Sequence, residues 1–259
     1  MKQGYILCAV GDKYVKESEI AIKSLKRFDP NAHVTLVTNV KVTSSLFDNV
    51  INMPIEKIDH KSIKLYKPKG LLLSPYEKTF YIDTDIYFCD LCDELFDLLD
   101  YYDLLVAHDV ADMIEPIWKG KKLKGLYPYN NGMFVYRKNE KTDHFLKSWI
   151  NILETEFEAN KHGQSSFVLA MMDAKLVSYT LTQIYNFRSV FYRGIPKTKV
   201  KIIHARDIDF VAFEKILNQN TKSRMWHPSE QRLIFNKPKT MLQKIKRKIN
   251  SVLNIKSNI

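Results

Sequence analysis

Tyr5–Val10 (YILCAV) is an unbroken apolar run, long enough for a buried strand and too short for a buried helix. From Val15 to Phe28 the pattern changes: Val15, Ile20, Ala21 and Leu25 recur near helical spacing, and Pro30 stands just past the end as a stop. His33–Thr38 is β-branched and predicts a second strand, and Asn49–Met53 a short third. A helix is expected at about Leu65–Leu73, before Pro75, followed by a strand at Thr79–Ile82 that runs into Asp83-Thr84-Asp85. Further on, the pattern predicts a short helix at Asp93–Leu99, a strand at Asp103–His108 and a strand at Gly132–Tyr136. Helices follow at Asn139–Phe157 and Gln164–Met172, then a late strand at Val200–His204. Asp109–Tyr129 has no clear period and reads as a long functional loop.

Strands alternating with helices predict an α/β fold: an open mixed sheet, mostly parallel, covered by helices on both faces. Ligands in such sheets sit beyond the carboxyl ends of the strands. The residues to watch are therefore Gly11–Tyr14, Asp83–Asp85, Asp109, Asn130–Gly132 and His204–Asp207.

Composition adds two points. The chain has 259 residues and a net charge of +11, but seven of those charges lie in residues 237–259, which hold no acidic residue. That segment also repeats Met241, Leu242, Ile245, Ile249, Val252 and Leu253 at three- and four-residue steps. It reads as a basic amphipathic helix for an anionic membrane surface, appended to a domain spanning 1–236. No nucleic-acid motif is present and no nucleic-acid partner is expected. No apolar run reaches the roughly 18 residues of a membrane span, and the N-terminus lacks the features of a secretory signal. The three cysteines do not make a disulfide framework and fit a reducing compartment. The expectation is a cytoplasmic protein, peripheral at the cytoplasmic face of a membrane. Cys89 and Cys92 have C-x-x-C spacing, but no second pair completes a zinc site, and packing as small apolar groups is expected.

The candidate chemistry starts at Asp83 and Asp85. In extended geometry residues two apart project to one side, about 6.5 Å apart along the chain. Two carboxylates so placed converge on a hard divalent ion, Mg²⁺ or Mn²⁺, whose remaining shell suits phosphate oxygens. A second Asp-x-Asp, Asp207/Asp209, follows a basic residue in an expected loop. Only the first leaves an apolar strand bound for a core.

The segments CAVGDKYVKESEIAIKSLKRFDPNAHVTLVTN, KPKGLLLSPYEKTFYIDTD, LLVAHD, YNNGMFVYRKNE and VKIIH occur in this order across roughly residues 5–210. Together they resemble glycosyltransferase family 8, the glycogenin and lipopolysaccharide galactosyltransferase group, which has the metal-dependent GT-A fold. The resemblance implies a nucleotide-sugar donor, UDP-linked, bound with Mn²⁺ or Mg²⁺. It implies Val10, Asp12 and Tyr14 at the nucleoside, with Tyr14 stacked on the base, and Lys67 at the donor. Asp83, Asp85 and His204 would hold the ion. Asp109, Asn130 and Asn131 would face the sugar, and Gln164 the reaction centre. The acceptor would be a glycan or lipid-linked glycan. If the family's stereochemistry carries over, the anomeric configuration is retained.

This chain departs from the family in two places. Gly163 stands where the family has an aspartate before Gln164, and HARDIDF replaces the family's His-x-x-Gly-x-x-Lys-Pro-Trp. Arg206 is the candidate substitute for the missing phosphate-gripping lysine, because a guanidinium chelates phosphate. Trp118, Tyr127 and Tyr129 offer flat faces for sugar rings, and Lys119, Lys121, Lys122 and Lys124 offer charge for an acidic acceptor. Two other readings share these data: a nucleotidyltransferase, disfavoured by the single glycine in Ala9–Asp12, and a non-catalytic basic membrane- or nucleic-acid-binding protein on a decayed transferase fold.

Overall fold

The computed structural model of the chain describes residues 1–109, 113–158, 160, 163–188 and 198–219, and the backbone of 224–227 and 232–235. The basic segment 237–259, expected to be an amphipathic helix, lies outside the described residues.

In chain order the elements are β1 (Gln3–Ala9), α1 (Asp12–Lys26), β2 (Val34–Thr38), β3 (Asn49–Asn52), α2 (His60–Leu71), β4 (Lys78–Ile82), β5 (Ile86–Phe88), α3 (Glu94–Leu98) and β6 (Leu104–His108). Then come β7 (Ile117–Trp118), β8 (Lys121–Lys122), β9 (Tyr129–Arg137), α4 (Glu140–Thr155), α5 (Gly163–Asp173) and β10 (Ser178–Leu181). A 3-10 turn at Gln183–Tyr185 leads to β11 (Ile202–His204), α6 (Phe210–Asn218), β12 (Arg224–His227) and β13 (Arg232–Phe235).

Seven strands form the central sheet in the order β10-β6-β9-β4-β1-β2-β3. Only β9 runs against its neighbours, β4 and β6; the other pairings are parallel. Alternate residues of each strand serve opposite faces, so the apolar runs fill two cores. Tyr5, Leu7, Phe80, Ile82 and Leu105 pack on one face with Ile22 and Leu25 of α1 and Phe96 of α3. Ile6, Tyr81, Val106 and Phe134 pack on the other with Tyr66 of α2, Phe145 and Trp149 of α4, and Phe167 of α5. A third, smaller cluster joins Tyr87, Cys89, Phe187, Ile203 and Leu217 under β5, β11 and α6.

Several expectations change. The late strand expected at Val200–His204 is β11, and it pairs antiparallel with β5 outside the central sheet. The strand expected from Gly132 begins at Tyr129, because pairing of His108 with Tyr129 extends the ladder past a register shift in which β9 carries the extra residues. The helix expected at about Leu65 begins at His60, where the Asp59 side chain accepts from Ser62 N at 2.8 Å and caps the first turn. The expected long loop carries the β7–β8 hairpin, turned by Lys119 (φ 48°) and Gly120 (φ 75°). Positive φ at both central residues is the backbone a two-residue hairpin needs, and glycine adopts it at no steric cost. Trp118 packs partly on the second core from this hairpin rather than presenting a free ring. Cys89 and Cys92 are buried free thiols, and burial pushes both up, so they are packing groups, as the sequence suggested.

Asp103 ties the end of the sheet together. It is 1 % exposed, and its oxygens accept from Arg137 Nη2 (2.8 Å), Asn139 Nδ2 (2.8 Å) and Val177 N (3.0 Å). Burial pushes this carboxyl up, but the Val177 N–H, Arg137 and Asn139 outweigh it and hold it below the usual range. A depressed folded-state value means that the contribution is present above the unfolded value of about 3.9 and is lost as pH falls through the folded one. Asp103→Ala should therefore cost about 3 kcal/mol near neutral pH. Urea unfolding of both proteins from pH 7 to pH 2 should show the gap closing as the wild-type carboxyl protonates; a gap independent of pH would refute this.

Candidate active site

The site lies at the carboxyl ends of β1, β4 and β6, where β9 enters the sheet between β4 and β6. Asp83 follows β4, and Asp85 sits in the turn into β5. Because β11 pairs with β5 so that His204 faces Ile86, the imidazole is delivered beside Asp85. His204 Nε2 lies 3.4 Å from Asp85 Oδ1, and ligand atoms of Asp83, Asp85 and His204 all fall within 4.8 Å of one another.

The Asp83 carboxylate is oriented by its partners. Lys67 Nζ, reaching over from α2, lies 2.7 Å from Asp83 Oδ1, and the Tyr81 hydroxyl donates to the same oxygen. Lys67 also donates to Asn131 O at 3.1 Å. Gly132 makes room at the centre. A Cβ there would stand 2.5 Å from His204 Cε1 and 2.8 Å from Asp83 Oδ2. The strand cannot back away, because Asp83 N donates to Gly132 O at 2.7 Å.

Asp85 Oδ1 is buried and makes no hydrogen bond among the described residues. Burial pushes this carboxyl up, but the His204 ring and the Arg206 guanidinium outweigh it and hold it below the usual range. An orphaned carboxylate oxygen, a second carboxylate and an imidazole, around a hollow that only glycine leaves open, fit a hard-to-borderline divalent cation.

Asp109, expected near the sugar, is a buried hub. Its Oδ2 accepts from Asn130 Nδ2 (3.1 Å) and Gln164 Nε2 (3.2 Å), and Arg188 Nη1 lies 2.8 Å from its Oδ1. Asn130 also accepts from Gly132 N at 3.0 Å, which links this hub to the carboxylate cluster. Asn131 Nδ2 donates to Gly163 O at 3.0 Å, so the position that lacks a carboxylate is occupied by a backbone contact.

Beside these groups opens a cleft of about 490 Å³. Among the residues expected from sequence, Val10, Tyr14, Lys67, Asp83, Asn131, Gln164 and Arg206 line it. Asp12, Asp85, Asp109, Asn130 and His204 are not on its wall: Asp12 is exposed at the start of α1, and the other four are at least largely buried. Lys64, Tyr66 and Trp149 also line it without having been singled out. Arg206 lies 2.9 Å from Glu17 Oε1 and 3.3 Å from Asp85 Oδ2, with its guanidinium 5.6 Å from the Tyr14 ring. Tyr81, Glu17, Asn186 and Arg188 were also missed. Tyr81 had a usable signal, standing two residues before Asp83 on the same strand. The others meet the site only through long-range contacts.

No family model matches the chain, and no curated protein matches it in sequence. Solved structures do. The crystal structure of the glycosyltransferase GlyE of Streptococcus pneumoniae TIGR4 is similar with a TM-score of 0.51 and 18 % identity, over 74 % of this chain and 48 % of that one. The chain thus spans about half the length of that neighbour. The fold is a GT-A-like glycosyltransferase fold. Among the described residues, no helix is long and apolar enough to cross a membrane.

Proposed function

We propose that this protein is a metal-dependent glycosyltransferase of the family 8 type, moving a sugar from a UDP-linked donor to a glycan or lipid-linked glycan. The observation that carries this reading is the convergence of Asp83, Asp85 and His204 around an unbonded buried oxygen at the rim of the cleft. These three residues would hold Mn²⁺ or Mg²⁺. The ion, when bound, neutralises charge developing on the departing diphosphate.

The chain's own groups supply the rest. Tyr14 is 37 % exposed at the cleft wall and would stack on the base, with Val10 on the same wall and Asp12 exposed at the start of α1. Lys67 and Arg206 bring positive charge to the same wall, where a diphosphate needs it. Gln164 gives its Nε2 to Asp109, which turns the amide's carbonyl oxygen away from that hub. An amide oxygen directed at the anomeric carbon would stabilise the positive charge that develops there. Asn131 lines the cleft, and Asp109 and Asn130 lie buried behind it, bonded to each other and to Gln164. The absence of a carboxylate at Gly163 favours one other reading, a donor site that binds without turnover. Calorimetry with UDP, with and without Mn²⁺, tests the donor site directly: Mn²⁺-dependent binding is expected, and no binding in either condition refutes the proposal. Slow hydrolysis of a UDP-sugar then separates turnover from binding alone.

A further inference from the structure

Between the 3-10 turn and the end of the described run lies the tripeptide Asn186-Phe187-Arg188. Phe187 forms a parallel bridge with Ile203 of β11, donating to Ile202 O and accepting from His204 N, both at 2.9 Å. Its ring is buried in the third apolar cluster. Each residue flanking this anchor meets a different part of the site.

Asn186 is fully buried, and its Oδ1 lies 2.8 Å from His204 Nδ1. A carbonyl oxygen can only accept, so Nδ1 carries a hydrogen, and Nε2, facing Asp85, is the nitrogen turned toward the ion site. Asn186 Nδ2 makes no hydrogen bond among the described residues, so the His204 contact is the bond that holds this amide in place there. Arg188 brings a guanidinium to Asp109, whose side chain is 2 % exposed. That countercharge lets a buried carboxylate accept from Asn130 and Gln164 together, which fixes which way both amides face.

We infer that Asn186 and Arg188 are positioning residues for the reaction proposed above, one presenting the His204 lone pair to the ion and the other orienting Gln164 and Asn130 through Asp109. Because both ride on one tripeptide anchored by Phe187, the ion side and the sugar side are held in register by the same strand. The inference rests on the proposed function for its catalytic meaning, but the Nδ1 bond to Asn186 is a property of the metal-free chain.

The first measurement is the ¹⁵N spectrum of His204 in the full, metal-free protein. A hydrogen on Nδ1 is expected; an Nδ1 without one overturns the role of Asn186 whether or not any variant folds. Asn186→Leu should release the tautomer and weaken Mn²⁺ binding, followed by electron paramagnetic resonance in the presence of UDP, by about 10–100-fold. Asn186→Asp, which still accepts from Nδ1, should restore it. Unchanged Mn²⁺ affinity in Asn186→Leu counts against the inference. Arg188→Ala should lower kcat for UDP-sugar hydrolysis by about 10–100-fold with KM and Mn²⁺ affinity unchanged, and added guanidinium should recover part of the rate. An unchanged kcat, or a loss that guanidinium does not touch, overturns the role of Arg188. A wild-type protein that neither binds UDP with Mn²⁺ nor hydrolyses a UDP-sugar defeats the reading of the donor site instead, and the tautomer still decides what Asn186 does.

Discussion

Asp83→Asn and Asp85→Asn should each abolish metal-dependent binding of UDP while leaving the protein folded. The neutral amide loses the anionic oxygen that a hard cation selects. At position 85 the loss is compounded, because the oxygen concerned is buried with no hydrogen bond of its own to replace. At position 83, Lys67 also loses its 2.7 Å partner. Changes to groups that merely orient ligands cost 10–100-fold in metal affinity, so loss of a ligand itself should exceed about 100-fold. The fold should survive, since neither side chain belongs to an apolar core, and a change of about 1 kcal/mol shifts the melting temperature of a chain of this size by only a few degrees. Calorimetry and thermal melting on the same samples check both halves. UDP affinity with Mn²⁺ that is unchanged in both variants would falsify the assignment. His204→Ala should give a partial loss, because two carboxylates remain.

Gly132→Ala should be as damaging to the ion site as removing a ligand. The added Cβ would meet His204 Cε1 at 2.5 Å, Asp83 Oδ2 at 2.8 Å and Asn130 Oδ1 at 3.1 Å. The backbone is held from both directions, by Asp83 N on Gly132 O and by Gly132 N on Asn130 Oδ1, so the side chains must move instead. Overpacking of this kind costs about 1–3 kcal/mol, a drop of several degrees in melting temperature, and it displaces two expected ion ligands at once. Gly163→Ala is the matched control. Its Cβ would find only ordinary contacts, with Asn131 Nδ2 at 3.4 Å and Lys64 Cε at 3.9 Å. Mn²⁺-dependent UDP binding should therefore vanish in Gly132→Ala and persist in Gly163→Ala. Equal binding in the two would mean that the hollow beside Gly132 is not the ion's place.

Local signals account well for one part of this molecule. The short apolar and β-branched runs and the near-helical patterns located β1, α1, β2, β4, β6 and α4 to within a few residues, because each carries apolar side chains that must be buried whatever their neighbours are. Strand-end reasoning then singled out Asp83, Asp85 and Asp109, which leave β4 and β6 at their carboxyl ends, and Asn130 and Asn131, which reach the same edge because β9 runs the other way and enters the sheet there. Short elements were harder. β5, β10 and α6 span three, four and nine residues, too few for a period to stand out. The β7–β8 hairpin depends on backbone angles at Lys119 and Gly120 that a lysine does not announce.

From sequence alone, then, come the α/β class, the mostly parallel sheet, the Asp-x-Asp at the end of β4, and the resemblance that put His204 and Lys67 beside it. These are recoverable because they rest on local repetition and on short motifs. The direction of β9, the pairing of β11 with β5, and the roles of Tyr81, Asn186 and Arg188 belong to the tertiary structure. His204 reaches Asp85 through a two-stranded ladder formed across more than a hundred residues of chain, and Asn186 and Arg188 reach the site because Phe187 is buried against Ile203. Contacts so distant in sequence are set by which apolar surfaces close on each other, and they leave no periodic trace in the segments that make them.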